Sequence, residues 1–406
     1  MQKLEDYIPI VGPERIDEIR ALGAHLSGRT IQNINSTAVG GGVAEILTRM
    51  IPLLREAGVD ARWDVIRGDN RFFAVTKAMH NALHGVPVSF TEEDREVFLE
   101  VNRQNVDVVQ PWGDIIFIHD PQPIGLVRAI DRSRHRSVWR CHIDFANPMP
   151  DIWEFLKGFI ESFDAAVFSA PAFSRPLSVR QVLISPSIDP LAEKNRDLTK
   201  EEIHSVCAQF GLDPGRPIVT QISRFDYLKD PVGVIKAYKM VKAHLDCQLV
   251  LAGGGATDDP EGQKVLDDVR NEAAGDPDIF VLFLPPASDR IINALQRASS
   301  VVLQKSLKEG FGLTVAEALW KAKPVIASAV GGIPLQVTHK YSGILTHSIE
   351  GTAFWIKQLL NEPTFAATLG QNGREHVLAN FLITRHIKEY LLLFLSLDRP
   401  GDVIRL

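Results

Sequence analysis

Two glutamates in one glycine-containing segment give the strongest indication of chemistry in this sequence. Glu309 and Glu317 are separated by seven residues in the segment EGFGLTVAE, in which Gly310 and Gly312 free the loop backbone. Thr314 is typical of the first turn of a helix, so loop amides and a helix N-terminus would point at an anionic group. Glu309 precedes this helix and Glu317 lies within it, and each carboxylate is therefore expected to be free to accept hydrogen bonds from sugar hydroxyls.

Two cations, Arg224 and Lys229, follow an apolar run that is typical of a buried strand. Arginine offers a planar fork of donors and lysine a compact charge, and together they suit a diphosphate. Isolated basic residues are also common on solvated surfaces, and the sequence leaves this alternative open. Their position after a strand favours a role in binding, because ligands of open parallel sheets lie at the carboxyl ends of the strands.

Two glycine runs also follow predicted strands. Gly40–Gly42 precedes a helix, where free N–H groups favour anions, and its spacing matches neither a dinucleotide fingerprint nor a P-loop. Within this run, Gly41 and Gly42 are candidate ligand contacts, with a tight turn as the alternative. Gly253 and Gly254 begin the second run, where a flat base or ribose could lie against the backbone, although a simple loop explains them nearly as well.

Histidine and aspartate mark the ends of two neighbouring strands. His119 and Asp120 end one strand, and His142 and Asp144 end the next, which is predicted to span Val138–Ile143. A lone histidine at a strand end is usually structural, but the repetition of this pair on adjacent strands indicates a shared polar site. The residue types would also suit a metal ion, yet the sequence does not establish cross-strand geometry, and no metal site is predicted.

Short β-rich runs alternate with helical patterns, first from about residue 30 and again after the polar stretch 189–200. This alternation predicts βαβ units, in which helices cover a parallel sheet. The predicted strands are Thr30–Ala38, Ala61–Ile66, Asp114–His119, Val138–Ile143, Ala165–Ser169 and Val182–Ser185 in the first half, and Pro217–Ser223, Cys247–Ala252, Ile279–Leu284, Val301–Gln304 and Pro324–Ala327 in the second. We expect an α/β protein with two Rossmann-like doubly wound sheets and a ligand cleft between them. The expected domains are residues 1–190 and 191–380, followed by a helix in 381–406 that packs back across the junction.

Length, charge and cysteine content exclude several classes of protein. The chain has 406 residues, which is more than a single hydrophobic core usually serves, and this length suits two domains. Its 44 basic and 50 acidic residues give a net charge of −6, which leaves no electrostatic footprint for nucleic acid. The three cysteines fit neither a disulfide framework nor a zinc cluster. Neither a signal peptide nor a membrane-spanning run is indicated, so a cytoplasmic protein without membrane contact is expected.

With these residues in place, the sequence resembles the retaining nucleotide-sugar glycosyltransferases of the GT-B fold, in their glycogen-synthase-like and sucrose-synthase-like branch. The spacing of Glu309 and Glu317 is the most specific shared feature, and Arg224 and Lys229 match the diphosphate pair of that family. Within the branch, the chain is most similar to trehalose synthases that join a nucleoside diphosphate glucose to glucose. The phrases NSTAVGGGVAEIL, HNALHG, HDPQP, WRCHID, SIDPLAEKN and KEGFGLTVAEALWKAKPVI carry this similarity. Asp230 departs from the family, which usually has glycine after the diphosphate lysine, and its carboxylate is expected to point away from the ligand.

The resemblance implies roles for most of these residues. Arg224 and Lys229 would hold the diphosphate and stabilise the charge that builds as it leaves. Glu309 would bind hydroxyls of the donor sugar, Glu317 those of the ribose, and His142 would lie against the donor glucose. Further donor or nucleotide contacts would come from Gly41, Gly42, Gly253, Gly254, Gly310, Phe311, Gly312, Leu313 and Thr314. The acceptor candidates, chosen from their positions at strand ends, are Asp120, Gln122 and Asp144.

The reaction implied by this resemblance is transfer of glucose from UDP- or ADP-glucose to free glucose with retention of configuration, which forms trehalose. Same-face attack is favoured over double displacement, because no carboxylate nucleophile stands out. The alternatives are a trehalose phosphorylase, a nucleotide-sugar 2-epimerase, against which the spacing of the two glutamates speaks, and a catalytically silent sensor. No tightly bound cofactor is expected, and both Mg²⁺ accompanying the nucleotide and assembly as a homodimer are left open.

Overall fold

The computed structural model describes residues 2–38, 42–254 and 260–398. They form two units: the first ends at Ser187 and resumes at Ile383, and the second comprises Ile188–Leu382. The chain thus passes between the units at these two points, against expected boundaries after residues 190 and 380. Each unit contains one six-stranded parallel sheet, which confirms the prediction of an α/β protein with two Rossmann-like sheets.

The sheet of the first unit has the strand order of a doubly wound fold. Its strands are β1 (Thr30–Asn35), β2 (Asp60–Val65), β3 (Ile115–His119), β4 (Arg136–Arg140), β5 (Ala165–Phe168) and β6 (Arg180–Leu183). They pair in parallel in the order β2-β1-β3-β4-β5-β6. The helices of this part of the chain are α1 (Ile8–Val11), α2 (Pro13–Ala24), α3 (Gly42–Glu56), α4 (Asn70–Leu83), α5 (Glu92–Val109) and α6 (Pro150–Ile160).

The second unit repeats the architecture with one strand more than the sequence predicted. Its strands are β7 (Ile218–Ile222), β8 (Gln248–Gly253), β9 (Ile279–Phe283), β10 (Val301–Gln304), β11 (Val325–Ser328) and β12 (Ile344–Thr346). They pair in the order β12-β11-β10-β7-β8-β9. The helices are α7 (Lys200–Gln209), α8 (Pro231–Lys242), α9 (Pro260–Ala273), α10 (Asp289–Ala298), α11 (Leu313–Trp320), α12 (Ile333–Gln336), α13 (Ile349–Asn361) and α14 (Pro363–Asn380). The sixth strand, β12, has only three residues, too few for an apolar run to be recognised.

Helices cover both faces of the second sheet, and the side chains of β8 show why. Leu249 and Leu251 belong to an apolar cluster with residues of α8 and α13. Val250 and Ala252 point the opposite way, into a cluster with residues of α7 and α10. Successive side chains of a strand alternate between the two faces of its sheet, so an unbroken apolar strand requires cover on both. The strand ends are then the part of the sheet left to bind ligands.

The last helix, α15 (Ile383–Ser396), belongs to the first unit. Phe117 on β3 meets the rings of Tyr390 and Phe394 edge-on, at centroid distances of 5.0 and 5.4 Å. Ser187 Oγ lies 2.9 Å from His386 Nδ1, which adds a buried polar contact at the start of the helix. Among the described residues, no helix combines the length and apolar character that crossing a bilayer requires.

Candidate active site

Neighbouring strand ends in the second unit bring two predicted catalytic residues into contact. Strands β7 and β10 are paired, so the loops that follow them lie at the same edge of the sheet. Lys229 ends a short 3₁₀ turn after β7, and Glu309 lies in the loop after β10. Lys229 Nζ donates a hydrogen bond to Glu309 Oε2 at 2.7 Å, and their side chains are only 18% and 11% exposed.

The Glu309 carboxylate is held by more than the lysine. Gln304 Nε2 and Ser306 Oγ also donate to Oε2, at 3.2 and 3.1 Å. Thr314 Oγ1 orients the glutamine by donating to its Oε1 at 2.9 Å. The prediction that Glu309 is free to accept from a sugar is therefore wrong for this oxygen, because a carboxylate that is largely buried needs a counter-charge and polar donors. A sugar hydroxyl must use Oε1 or displace one of these groups.

Glycines behind the Glu309 loop allow a close approach of two backbones. A Cβ atom on Gly331, which has a φ of +56°, would lie 1.6 Å from the carbonyl oxygen of Glu309. Gly332 N donates to the carbonyl oxygen of Gly310 at 3.1 Å. Gly312 adopts a φ of +82° at the N-cap of α11, a conformation that favours glycine. This packing holds the backbone of the Glu309 loop against Gly331 and Gly332.

The remaining residues of this loop provide backbone amides at a helix start and one buried ring. Leu313 and Thr314 are the first residues of α11, where backbone N–H groups have no intrahelical acceptor and can face an anion. The ring of Phe311 is 5% exposed and meets Phe381 edge-on at 5.4 Å. Phe311 therefore stabilises the unit with its side chain and can contact a ligand only through its backbone.

Arg224 lies outside the Lys229–Glu309 contact. Its Nη2 donates to Asp226 Oδ2 at 3.2 Å, and its side chain is 64% exposed. Asp226 also accepts from Leu228 N at 2.8 Å and so caps the 3₁₀ turn that ends at Lys229. The structure thus gives each predicted diphosphate cation a carboxylate partner of its own.

Asp230, the residue that departs from the family pattern, is held by two contacts of its carboxylate. Its backbone is left-handed, with a φ of +45°, and its Oδ1 accepts from Gly233 N at 3.0 Å as the N-cap of α8. Lys305 Nζ donates to its Oδ2. The carboxylate is therefore used in a helix cap and an ion pair, so its charge is balanced by Lys305.

Lys305 and Gln221 are residues of this site that the sequence analysis missed. Gln221 Nε2 donates to the carbonyl oxygen of Lys229, and Lys305 N donates to Gln221 Oε1, both at 2.9 Å. One buried amide thereby joins the loops after β7 and β10. Two signals could have found these residues: a polar side chain within the apolar run of β7, and a lysine directly after β10.

Glu317 occupies a more buried position than a ribose contact suggests. It is 2% exposed, and Lys194 Nζ lies 3.7 Å from its Oε1. One turn later, Lys321 Nζ donates to Asn195 Oδ1 at 3.0 Å and to Gln296 Oε1 at 2.8 Å. Burial lowers the pKa of Lys321 to about 7. The expectation that Glu317 is free for sugar hydroxyls is therefore not met: the carboxylate is enclosed by protein next to a cation.

One glycine of the predicted runs, Gly253, is required by a close approach of two backbones. A Cβ atom on Gly253 would lie 1.8 Å from the carbonyl oxygen of Ser223, so the end of β8 approaches the loop after β7 too closely for a side chain. At Gly254 the nearest atom, the carbonyl oxygen of Leu284, would be 3.2 Å away. Gly42 is the first residue of α3, whereas Gly41 lies outside the described residues.

In the first unit, the ends of β3 and β4 bring His119, Asp120 and His142 together. β4 ends at Arg140, so the predicted strand end at Ile143 is wrong, and His142 lies in the following loop. The loop is fixed because His142 N donates to Asp120 Oδ1 at 2.8 Å. The ring atoms His119 Nδ1 and His142 Nε2 are 3.2 Å apart.

Burial and a neighbouring arginine control the ionisation of this cluster. Burial, together with the charge of Arg140, lowers the pKa of His119 to about 3 and that of His142 well below its ordinary value. Burial raises the pKa of Asp120 to about 6, although the hydrogen bond from His142 N and the charge of Arg140 oppose this rise. Both imidazoles are therefore neutral at physiological pH.

The two other acceptor candidates support local backbone. The carbonyl oxygen of Gln122 accepts from Asn102 Nδ2 at 3.0 Å. Asp144 is 8% exposed, and its Oδ1 accepts from Ala146 N at 2.9 Å. These contacts hold the loops after β3 and β4 in place.

Family models match both units of the chain. Residues 33–175 match the model described as trehalose synthase, N-terminal domain. Residues 205–376 match the model described as glycosyl transferases group 1. The two regions contain the His119–Asp120–His142 cluster and the Lys229–Glu309 pair, respectively.

Two proteins that align with nearly the whole chain are both named trehalose synthase. Trehalose synthase of Thermococcus litoralis is 43% identical, with 96% of each chain covered. Trehalose synthase of Rubrobacter xylanophilus is 44% identical, with 97% of each chain covered. Trehalose phosphorylase of Pleurotus pulmonarius is 30% identical over 84% of this chain, which spans only 54% of that protein.

Solved structures with low sequence identity share the fold. A sucrose-phosphate synthase from Thermosynechococcus elongatus superimposes with a TM-score of 0.71 at 20% identity, covering 92% of this chain and all of that one. An α,α-trehalose-phosphate synthase from Burkholderia xenovorans gives a TM-score of 0.74 at 15% identity, with 90% and 99% covered. Taken with the two parallel sheets and the matches along the whole sequence, these similarities show that the chain is a glycosyltransferase of the GT-B fold and belongs to the trehalose synthase family.

Proposed function

We propose that this protein transfers glucose from a nucleoside diphosphate glucose to free glucose and forms trehalose with retention of configuration. The observation that carries the proposal is the Lys229–Glu309 contact at adjacent strand ends, where a phosphate-binding cation and a hydroxyl-binding carboxylate are held 2.7 Å apart. A sugar diphosphate presents an anion next to hydroxyl groups, so it can engage both members of the pair. The full-length similarity to trehalose synthases supports the choice of donor and acceptor.

The second unit supplies the groups that would act on the leaving diphosphate. Arg224 and Lys229 each carry one positive charge, and the N-terminus of α11 adds free backbone N–H groups at Leu313 and Thr314. At 4 Å and an effective dielectric constant of ~20, one charge pair contributes about 4 kcal/mol. Two such cations aimed at the departing phosphates therefore supply a substantial part of the stabilisation that glycosyl transfer needs.

The Lys229–Glu309 pair has to open for this chemistry. A diphosphate competes with Glu309 for the ammonium group, and a lysine that turns to the phosphate leaves Glu309 Oε2 with the donors Gln304 and Ser306. The released carboxylate can then accept a hydroxyl of the transferred glucose. Phosphate binding and sugar binding are in this way linked through one ion pair.

The first unit supplies candidates for the sugars. His142 presents a neutral imidazole, and Asp120 a carboxylate whose raised pKa, about 6, makes it a stronger hydrogen-bond acceptor than an ordinary aspartate at neutral pH. We assign His142 to the donor glucose, and Asp120 with Gln122 and Asp144 to hydroxyls of the acceptor. Same-face attack requires the departing phosphate to take the acceptor's proton, so no protein nucleophile is assigned.

A coupled assay of nucleoside diphosphate release tests the proposal. The protein is supplied with UDP- or ADP-glucose, with and without glucose, and in a separate arm with trehalose and inorganic phosphate. Release that depends on glucose and falls at least 100-fold in Lys229→Met supports the proposal, because that variant keeps the length of the side chain but loses its charge. Phosphate-dependent breakdown of trehalose without any reaction of the nucleotide sugars would replace it by a phosphorylase.

A further inference from the structure

A chain of hydrogen-bonding atoms runs from β2 through the sheet to His142. Asn33 on β1 directs its Nδ2 at the carbonyl oxygen of Arg62, at 3.1 Å. Its Oδ1 lies 3.2 Å from His119 Nε2. His119 Nδ1 in turn lies 3.2 Å from His142 Nε2, and the two rings are nearly parallel. Asn33 and His119 are almost completely buried, at 1% and 2% exposure.

The orientation of the Asn33 amide determines where each proton lies. A carbonyl oxygen can only accept, so the contact with Arg62 requires the NH₂ group on that side and leaves Oδ1 facing His119. His119 Nε2 must therefore carry a proton. Because a neutral imidazole has one N–H, His119 Nδ1 is an acceptor, and His142 Nε2 must carry the proton between the two rings. His142 Nδ1 is then left with a lone pair.

The surroundings keep both rings neutral, so that each imidazole carries one N–H. Burial and the charge of Arg140 oppose protonation of His119 and His142. A charged His119 would further oppose protonation of the adjacent His142. His386 on α15 acts on His142 in the same direction, and its own protonation is opposed by burial and Arg385. Asp120 binds the backbone N–H of His142 and leaves its imidazole to His119.

We propose that Asn33 and His119 are positioning residues that hold His142 in the tautomer whose Nδ1 accepts a hydrogen bond. In this form His142 recognises a ligand group with an O–H to donate, such as a sugar hydroxyl, and disfavours an anionic oxygen, which has no proton to offer. The assignment rests on the proposed function only for the identity of the ligand as a sugar. The tautomer itself follows from the contacts that join the Arg62 carbonyl oxygen, Asn33, His119 and His142.

Ring tautomers can be read directly by NMR on protein labelled with ¹⁵N in the histidine rings. Long-range ¹H–¹⁵N correlation distinguishes a protonated ring nitrogen from one with a lone pair, and His142→Gln assigns the signals of interest by their loss. The expected spectrum shows His142 with a protonated Nε2 and an unprotonated Nδ1. A protonated Nδ1 on His142 in the unmodified protein overturns the proposal without any variant.

Two variants and a matched control separate positioning from stability. His119→Phe removes the acceptor for His142 Nε2, and Asn33→Leu removes the group that sets the tautomer of His119. His135→Phe makes the same change in the same unit, at a histidine whose Nδ1 contacts the carbonyl oxygen of Gly113 instead. We expect His119→Phe and Asn33→Leu each to give His142 a mixture of tautomers, whereas the control leaves its signals unchanged.

Kinetics provide the second readout. Loss of a fixed tautomer should lower kcat/KM for glucosyl transfer about 10-fold or more in His119→Phe and in Asn33→Leu. The affinity for free UDP should change less than about threefold in both variants. Unchanged His142 signals in both folded variants, or an equal loss of UDP affinity, contradict the proposal. If the protein transferred no glucose but showed the expected spectrum, the proposed function would fail while the tautomer assignment stood.

Discussion

Lys229 and Glu309, separated by 80 positions in the sequence, form an ion pair in which Nζ lies 2.7 Å from Oε2. The pair joins the residue assigned to the diphosphate with the residue assigned to the sugar. Each therefore masks the other until a ligand that carries both an anion and hydroxyls arrives. This relationship makes opposite predictions for catalysis and for binding of the nucleotide alone.

Glu309→Gln should reduce glucosyl transfer and increase the affinity for free UDP. The variant removes a carboxylate that binds the sugar, so we expect kcat/KM to fall about 100- to 1,000-fold. It also releases Lys229 from its counter-charge, which we expect to tighten UDP binding by about 3- to 10-fold. Steady-state kinetics and calorimetric titration with UDP measure the two effects. Glu350→Gln, an exposed change in the first turn of α13, is the control and should alter neither.

The pair of Lys305 and Asp230 predicts a stability cycle. Asp230→Asn keeps the cap on Gly233 N and suits the left-handed backbone, but it removes the charge that faces Lys305. Because the lysine side chain is only 10% exposed, we expect this change to destabilise the protein by about 1–3 kcal/mol. Lys305→Met in the Asp230→Asn background should recover about half of that loss. Urea denaturation of the unmodified protein, Asp230→Asn, Lys305→Met and the double variant measures the interaction energy. Additive effects of the two changes would show that the pair contributes nothing.

Asp120→Asn should stabilise the protein at neutral pH while lowering its activity. Folding raises the pKa of Asp120 from 3.8 to about 6, so the carboxyl favours the folded state below pH 3.8 and this contribution is lost as the pH rises through 6. Asparagine can still accept from His142 N and suits the φ of +65°. We expect a gain on the order of 1–2 kcal/mol at pH 8 that disappears near pH 4. Denaturation at both pH values checks this, and a gain independent of pH would contradict the assignment of the charge.

Two glycines with positive φ test the support of the Glu309 loop. Gly331 and Gly275 both have positive φ, +56° and +85°, but only at Gly331 would a Cβ atom meet another backbone, 1.6 Å from the carbonyl oxygen of Glu309. Alanine should therefore cost about 1 kcal/mol at Gly275, from backbone strain alone. At Gly331 we expect a further 2 kcal/mol or more and at least a 10-fold loss of activity, because the loop must move. Equal effects at the two positions in thermal unfolding would exclude a tight fit behind Glu309.

The sequence predicts the fold well because several strands, among them β3, β5 and β8, are buried on both faces and are largely apolar. The prediction misses the three-residue strand β12, whose apolar run is too short to recognise. It also extends β4 beyond its end at Arg140. The loop residues Glu309 and Lys229 could be identified from their types and positions. Their mutual contact could not, because which carboxylate neutralises which cation depends on the pairing of β7 with β10. For the same reason Asp230 looks unfavourable in the sequence and is explained only once Lys305 lies beside it.

Glucosyl transfer to glucose with retention is tested most directly by NMR analysis of the product. The protein is incubated with unlabelled glucose and UDP- or ADP-glucose that carries ¹³C at the anomeric carbon of the transferred sugar. We predict one labelled disaccharide with an α,α linkage, formed only when both substrates are present and absent with Glu309→Gln. A β-configured linkage would contradict retention, and labelled glucose or unchanged donor in place of a disaccharide would contradict the assignment of glucose as acceptor.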